Sequence, residues 1–108
     1  MNSILQGTTP TLTITVDQDD LLLSNIVELE LTFQQVGDPV YKHMSDVTID
    51  TVANTVSYHF TQEETLALIP TRLLNWQIRF AMPDGNIIGT VVAQINVSDL
   101  ISDEVMTT

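Results

Sequence analysis

Cysteine is absent from the sequence, which excludes disulfides and thiolate metal sites and leaves the redox compartment open. Basic residues are nearly absent as well: three Lys and Arg stand against fourteen Asp and Glu, a formal net charge of -11. Such a surface cannot neutralise phosphates, so no nucleic-acid partner is expected. No apolar run approaches the length that spans a bilayer, so no membrane partner is expected either. The opening residues, Met1-Asn2-Ser3-Ile4-Leu5-Gln6-Gly7, carry neither a basic region nor a long apolar stretch. They do not read as a signal peptide, and export by the secretory route is not expected. His43 and His59 are the only imidazoles, too few for a zinc site, which takes three or four protein ligands. His59, on the polar face of its strand between Tyr58 and Phe60, reads as an exposed strand residue.

Hydrophobic residues make up 44% of the chain and charged ones 16%, too apolar a balance for an acidic disordered segment. A chain of 108 residues forms one domain and buries roughly two-thirds of the surface its unfolded form exposes. The core is expected over residues 10–97, with 98–108 as an acidic tail. Thr11 to Val16 alternates polar with apolar residues at the period of a half-buried strand, placing Leu12, Ile14 and Val16 inward. Pro10 cannot donate a ladder bond and puts this strand at a sheet edge. Ile26 to Gln34 alternates with Val27, Leu29, Leu31 and Phe33 on one face, a spacing no helix produces. Shorter strands are expected at Val40–Met44 and Val47–Asp50, around Ser45-Asp46.

Asn54 tolerates positive φ and supports a tight turn before Thr55–Phe60, where Val56, Tyr58 and Phe60 point inward. Thr61-Gln62-Glu63-Glu64 matches a capping box. It starts a helical turn over Gln62–Leu68, with Leu66 and Ile69 closing one end of the core before Pro70. Leu74, Trp76, Ile78, Phe80 and Met82 form the inward face of a central strand, with Asn75, Gln77, Arg79 and Ala81 outward. Pro83-Asp84-Gly85-Asn86 has hairpin chemistry. Ile87 to Val97 returns with Ile87, Gly89, Val91, Ala93, Ile95 and Val97 on its core face. About seven strands with turn signals every ten residues or so, and one short helical turn, predict an all-β, immunoglobulin-like antiparallel Greek-key sandwich; an open barrel is the alternative.

Residues that carry chemistry are sparse. Asp17-Gln18-Asp19-Asp20 resembles the start of a calcium loop but lacks the glycine and the distal bidentate Glu, so a solvated loop is the simpler reading. Glu63 and Glu64 diverge by about 100° on a helical turn and do not face one another as an acid-base pair. No strained nucleophile elbow is present, and Gly85 and Gly89 form no phosphate cradle. No catalytic residue, metal site or cofactor is expected, and the chain does not read as an enzyme. What remains is surface. Opposite the core face of the last strand stand Ile88, Thr90 and Val92, joined by Gln77 and Ala81 of the neighbouring strand, an outward strip apolar enough for an interface. Leu100, Ile101 and Val105 of the tail are a second set, which either packs on its own domain or docks on a neighbour.

Gln6-Gly7-Thr8-Thr9-Pro10-Thr11 before the first strand, Thr61-Gln62-Glu63-Glu64-Thr65 between two strands, and Asp84-Gly85 before the last one resemble small structural proteins of phages and prophages of Gram-positive bacteria. More loosely, the chain is similar to the immunoglobulin-like N-terminal domain of phage baseplate upper proteins. The likeness spans Gln6 to Val97. It implies a virion component of tail or baseplate, assembled in the bacterial cytoplasm, that binds copies of itself or neighbouring phage proteins through β-sheet surfaces and is oligomeric when assembled. No fibre region follows Val105, so host recognition is not expected of this chain alone. A capsid decoration protein, a carbohydrate-binding module and an acidic inhibitor of host proteins are the alternatives. In the last, Asp17, Asp19, Asp20, Glu28 and Glu30 would imitate phosphates. A carbohydrate module would show several exposed aromatics, whereas Tyr41 is the one expected off the core faces.

Overall fold

The computed structural model describes residues 3–17, 21–90, 92–99 and 106. Nine strands run along these residues: β1 (Ser3–Leu5), β2 (Thr11–Thr15), β3 (Glu28–Gln34), β4 (Val40–His43), β5 (Thr48–Asp50), β6 (Thr55–His59), β7 (Leu74–Ala81), β8 (Ile87–Gly89) and β9 (Ala93–Ser98). One helical turn, α1 (Gln62–Leu66), links β6 to β7. The larger sheet has the order β1-β9-β7-β3-β4, with β8 also on β7, and the smaller one the order β2-β6-β5. The result is the expected all-β sandwich. The orders β9-β7-β3-β4 and β2-β6-β5 correspond to strands G-F-C-C′ and B-E-D of an immunoglobulin domain. Every pairing is antiparallel except β1 with β9, which is parallel.

The alternation rules place most of the core where the sequence puts it. Leu12 and Ile14 of β2, Leu29, Leu31 and Phe33 of β3, Val56 and Tyr58 of β6, and Leu74, Ile78 and Phe80 of β7 are all buried. Phe33, Tyr58 and Phe60 pack as a trio with ring centroids 5.0–5.6 Å apart, the tilted and edge-on arrangements that aromatic quadrupoles favour. The hairpin turn forms with Gly85 at φ 90°, and the amide of Asn86 is held by Asp84 Oδ1 at 2.9 Å.

Four local expectations are corrected. β1 was not expected. Ile4 is buried and pairs with Val97, adding a parallel edge strand. Val27 is not in the core: β3 begins at Glu28, Val27 is 60% exposed, and Ile26 packs inward instead. Leu66 and Ile69 do not close the core end. The chain leaves the helix after one turn, so Thr65 is the fully buried residue and Leu68 packs on the core while Ile69 is exposed. The Thr65 hydroxyl donates to the carbonyl of Thr8 at 2.7 Å, tying α1 to the segment before β2.

The fourth correction is the largest. The strand expected over Ile87–Val97 is two strands out of phase. β8 pairs with β7 through Arg79↔Gly89, Phe80↔Ile88 and Ala81↔Ile87, whereas β9 pairs through Leu74↔Ile95, Asn75↔Gln94 and Trp76↔Ala93. Between these registers the returning chain supplies one residue more than β7 does. One extra residue makes a β-bulge, and a bulge exchanges the two faces of everything beyond it. Ile95 and Val97 are therefore buried as expected, but Ile87 is 61% exposed and Ile88 packs against the core.

Thr71 adopts φ 64°, a left-handed conformation costly for a β-branched residue. Its amide donates to the carbonyl of Val97 at 2.9 Å, which holds it there. Thr71→Gly is expected to raise stability by about 0.5–1 kcal/mol, the relief of strain less the extra entropy of an unfolded glycine. The midpoint of urea unfolding reads this directly, and a lowered midpoint would show that no strain is stored.

Candidate functional site

The outer face of the larger sheet is built from the side chains that alternate with the core set. Cross-strand register sets Tyr41, Thr32 and Gln77 in one row and His43, Glu30 and Arg79 in the next. Arg79 contacts Glu30 Oε1 from both Nε (3.2 Å) and Nη2 (2.8 Å), so the charges in the middle of this face cancel. Gln94 donates to Asn75 Oδ1 at 3.1 Å. Gln77 reaches across the bulge to the Thr90 carbonyl at 2.7 Å, while the Thr90 amide donates to the Ile78 carbonyl at 3.0 Å. These bonds fix Val92, 56% exposed, at the rim of a hollow of about 80 Å³ also lined by Thr32, Gln34, Asn75 and Gln77.

Of the predicted strip, the structure brings Gln77 and Val92 together at this hollow, while Thr90 meets Gln77 only through its carbonyl and itself lines a cleft with Ile14, Phe80 and Ile88. Ile88 is not at the hollow, because the bulge turns that side chain into the sandwich. Leu100, Ile101 and Val105 lie outside the described residues. Met106 of the tail is described: its amide donates to Gln62 Oε1 at 2.6 Å, and its carbonyl accepts from Gln62 Nε2 at 2.9 Å.

A second feature was not anticipated. Glu64, expected only as the partner in the capping box, also accepts from the Tyr58 hydroxyl at 2.7 and 2.6 Å and pairs with Lys42 Nζ at 3.2 Å. Lys42 lies 5.3 Å from the centroid of the Tyr58 ring. Burial works against the Glu64 carboxylate, but the bonds from Tyr58, the Thr61 amide and Lys42 outweigh it and hold its pKa below the ordinary value. Burial, then the bond to Glu64, pushes the Tyr58 phenol up, so a reactive phenolate is disfavoured. For Lys42, burial is overcome by the bonds to Tyr58 and Glu64, which hold the ammonium above its ordinary pKa. The three groups satisfy one another beside an open cleft of about 300 Å³ with a floor of Phe33, Phe60, Leu68 and Leu74.

Among the described residues no group of three or more His, Cys, Asp or Glu gathers to hold a metal. Asp17 is exposed, and Gln18, Asp19 and Asp20 lie outside the described residues. His59 is exposed, with Nδ1 2.9 Å from Thr11 Oγ1. No described helix is long and apolar enough to cross a membrane. Tyr41 is exposed, whereas Trp76 packs against the core, so the described aromatics make no line of sugar-stacking rings. Glu30, one of the acids in a phosphate-like pattern, is neutralised by Arg79. No protein-family model matches the chain, and no curated protein matches it significantly.

Proposed function

We propose that this chain is a non-enzymatic structural protein of a phage or prophage virion, in the tail or baseplate, that acts by assembling with copies of itself or with neighbouring virion proteins. One observation carries the assembly reading. In a chain of charge -11, the centre of the larger sheet's outer face holds a self-neutralised Glu30–Arg79 pair, amides, hydroxyls, Tyr41 and Val92. Net charge keeps subunits apart in solution, and an interface needs a region where that repulsion is locally relieved. The phage assignment draws on the resemblance carried by the Thr61–Glu64 cap and the Asp84-Gly85 hairpin, which set connections between strands rather than chemistry. A capsid decoration protein is the nearest alternative within the same class.

Val92→Asp adds a charge at the rim of the hollow without touching the core. Loss of a central contact costs at least about 2 kcal/mol, roughly thirtyfold in affinity. Sedimentation of wild type and variant over a concentration series, alone and with particle proteins, is expected to show that loss. Unchanged assembly would remove this face from the proposal. Tryptic peptides of the chain are expected in density-purified phage particles, and their absence would remove the virion.

A further inference from the structure

Among the described residues the smaller sheet is one strand short. Its immunoglobulin counterpart has the order A-B-E-D; here β1 joins β9 in the larger sheet, and β2 is left as an edge. The direction of its backbone groups follows from the bonds that flank the ladder. Phe60 donates to the carbonyl of Pro10 and Val16 to that of Asn54, each at 2.9 Å, so the even-numbered residues of this segment face β6. Bonding alternates along an antiparallel strand. Thr11, Thr13 and Thr15 therefore turn their N–H and C=O groups to the open side.

Among the described residues the other antiparallel edges, β4, β5 and the three-residue β8, are shorter or guarded. On β4 the His43 amide is capped by Asp46 Oδ2 at 2.9 Å and Pro39 has no N–H, which leaves Tyr41 alone. On β5, three residues long, the odd-numbered residues of β6 bond Thr48 and Asp50, which leaves Ile49. β2 has three consecutive rungs, with no charge and no bulge within it. Those are the devices by which proteins protect an edge, together with a proline inside the strand, and Pro10 only precedes this one.

A second observation lies beside this edge. A cleft of about 200 Å³ opens between β2 and β8; Ile14, Val16, Leu21, Phe80 and Ile88 give it apolar walls, and Thr15 and Thr90 are also among its lining. It is the gap that the inward side chains of a closing strand would fill, and it has room for an aliphatic side chain. Charge selects the occupant. Asp17 stands at the cleft, and Lys42 and Arg79 are engaged by Glu64 and Glu30 elsewhere. A second copy would bring another charge of -11 to this edge.

We propose that the open edge of β2 and the cleft between β2 and β8 receive an extended, basic segment of a partner protein. The segment pairs as a fourth strand with Thr11, Thr13 and Thr15 and places an apolar side chain between Ile14 and Ile88. Main-chain bonds supply affinity in such strand addition, and the pocket supplies specificity. This goes beyond the assembly proposed for the larger sheet and concerns the opposite sheet, so Val92→Asp is expected to leave it unchanged.

The test uses the full chain and synthetic capped peptides in which lysine alternates with valine, isoleucine or leucine; glutamate replaces lysine in the controls. Amide exchange followed by NMR is expected to show protection at Thr11, Thr13 and Thr15 with a lysine peptide and none at Tyr41. Thr15→Lys changes only an exposed side chain next to the peptide's charges and is expected to weaken binding about tenfold. Thr13→Pro, which removes the central outward N–H, is expected to weaken it at least as much. Three results would overturn the proposal: no protection with any lysine peptide, equal response to the glutamate peptides, or protection without peptide that grows with protein concentration. The last would assign the edge to a second copy.

Discussion

Asn54→Ala is expected to cost about 3 kcal/mol. Asn54 sits at φ 56°, in the turn between β5 and β6. Its Oδ1 accepts from the Leu23 amide at 2.9 Å, and its Nδ2 donates to the carbonyls of Val16 at 2.8 Å and Leu21 at 3.1 Å. One half-buried side chain thereby ties the end of β2 to the chain at 21–23. Each bond contributes about 1 kcal/mol net, and alanine at positive φ adds about 1 kcal/mol of strain. Water can reach part of the site, so the total stays below the sum of complete losses. Asn54→Gly keeps the backbone conformation and is expected to be about 1 kcal/mol less damaging, which separates strain from lost bonds. Urea unfolding followed by Trp76 fluorescence measures both variants. A cost for alanine under about 0.5 kcal/mol, the ordinary range of surface substitutions, would mean that the bracket holds nothing.

The sequence shows Asn54 as a turn residue, since Asn is among the few residues at ease with positive φ, but its three side-chain partners depend on loops that meet only in the fold. The same division runs through the molecule. β3, β6 and β7 were legible because a polar residue separates each apolar one over five or more positions, which fixes the phase. Phase is lost where apolar residues come in pairs. Ile26-Val27, Ile87-Ile88 and Val91-Val92 fit either face, and there the expectations for Val27 and for Ile88 failed. Gln77 and Val92 share the outer hollow, but the shift in register that parts them from Ile88 was not legible, because it consists of one residue counted against a distant strand. The open edge of β2 was half legible: Pro10 marked an edge strand, but the missing neighbour follows from β1 pairing with β9 across the whole chain length.

Glu64 carries the other large effect, and it has a pH signature. Glu64→Ala removes the cap partner, the acceptor for Tyr58 and the counter-ion of Lys42, and is expected to cost about 2–3 kcal/mol near neutrality. The folded carboxyl titrates below its ordinary value of 4.5. Its contribution is therefore complete above that value and is lost as pH falls through the folded pKa. Tyr58 and Lys42 act at the other end. Their folded pKa values lie above the ordinary 10.0 and 10.5, so their contributions are complete below those values and are lost as pH rises through the folded ones. The stability gap between wild type and Glu64→Ala is thus expected to be flat from about pH 6 to 9 and to narrow as pH falls below about 4. Glu64→Gln retains an acceptor for the Thr61 amide but no charge, so it is expected to cost about 1 kcal/mol and to lack the acid limb. Urea midpoints for the three proteins across that range decide it. A gap that stays constant into acid would show that the carboxylate form of Glu64 is not what fastens α1 to β4 and β6.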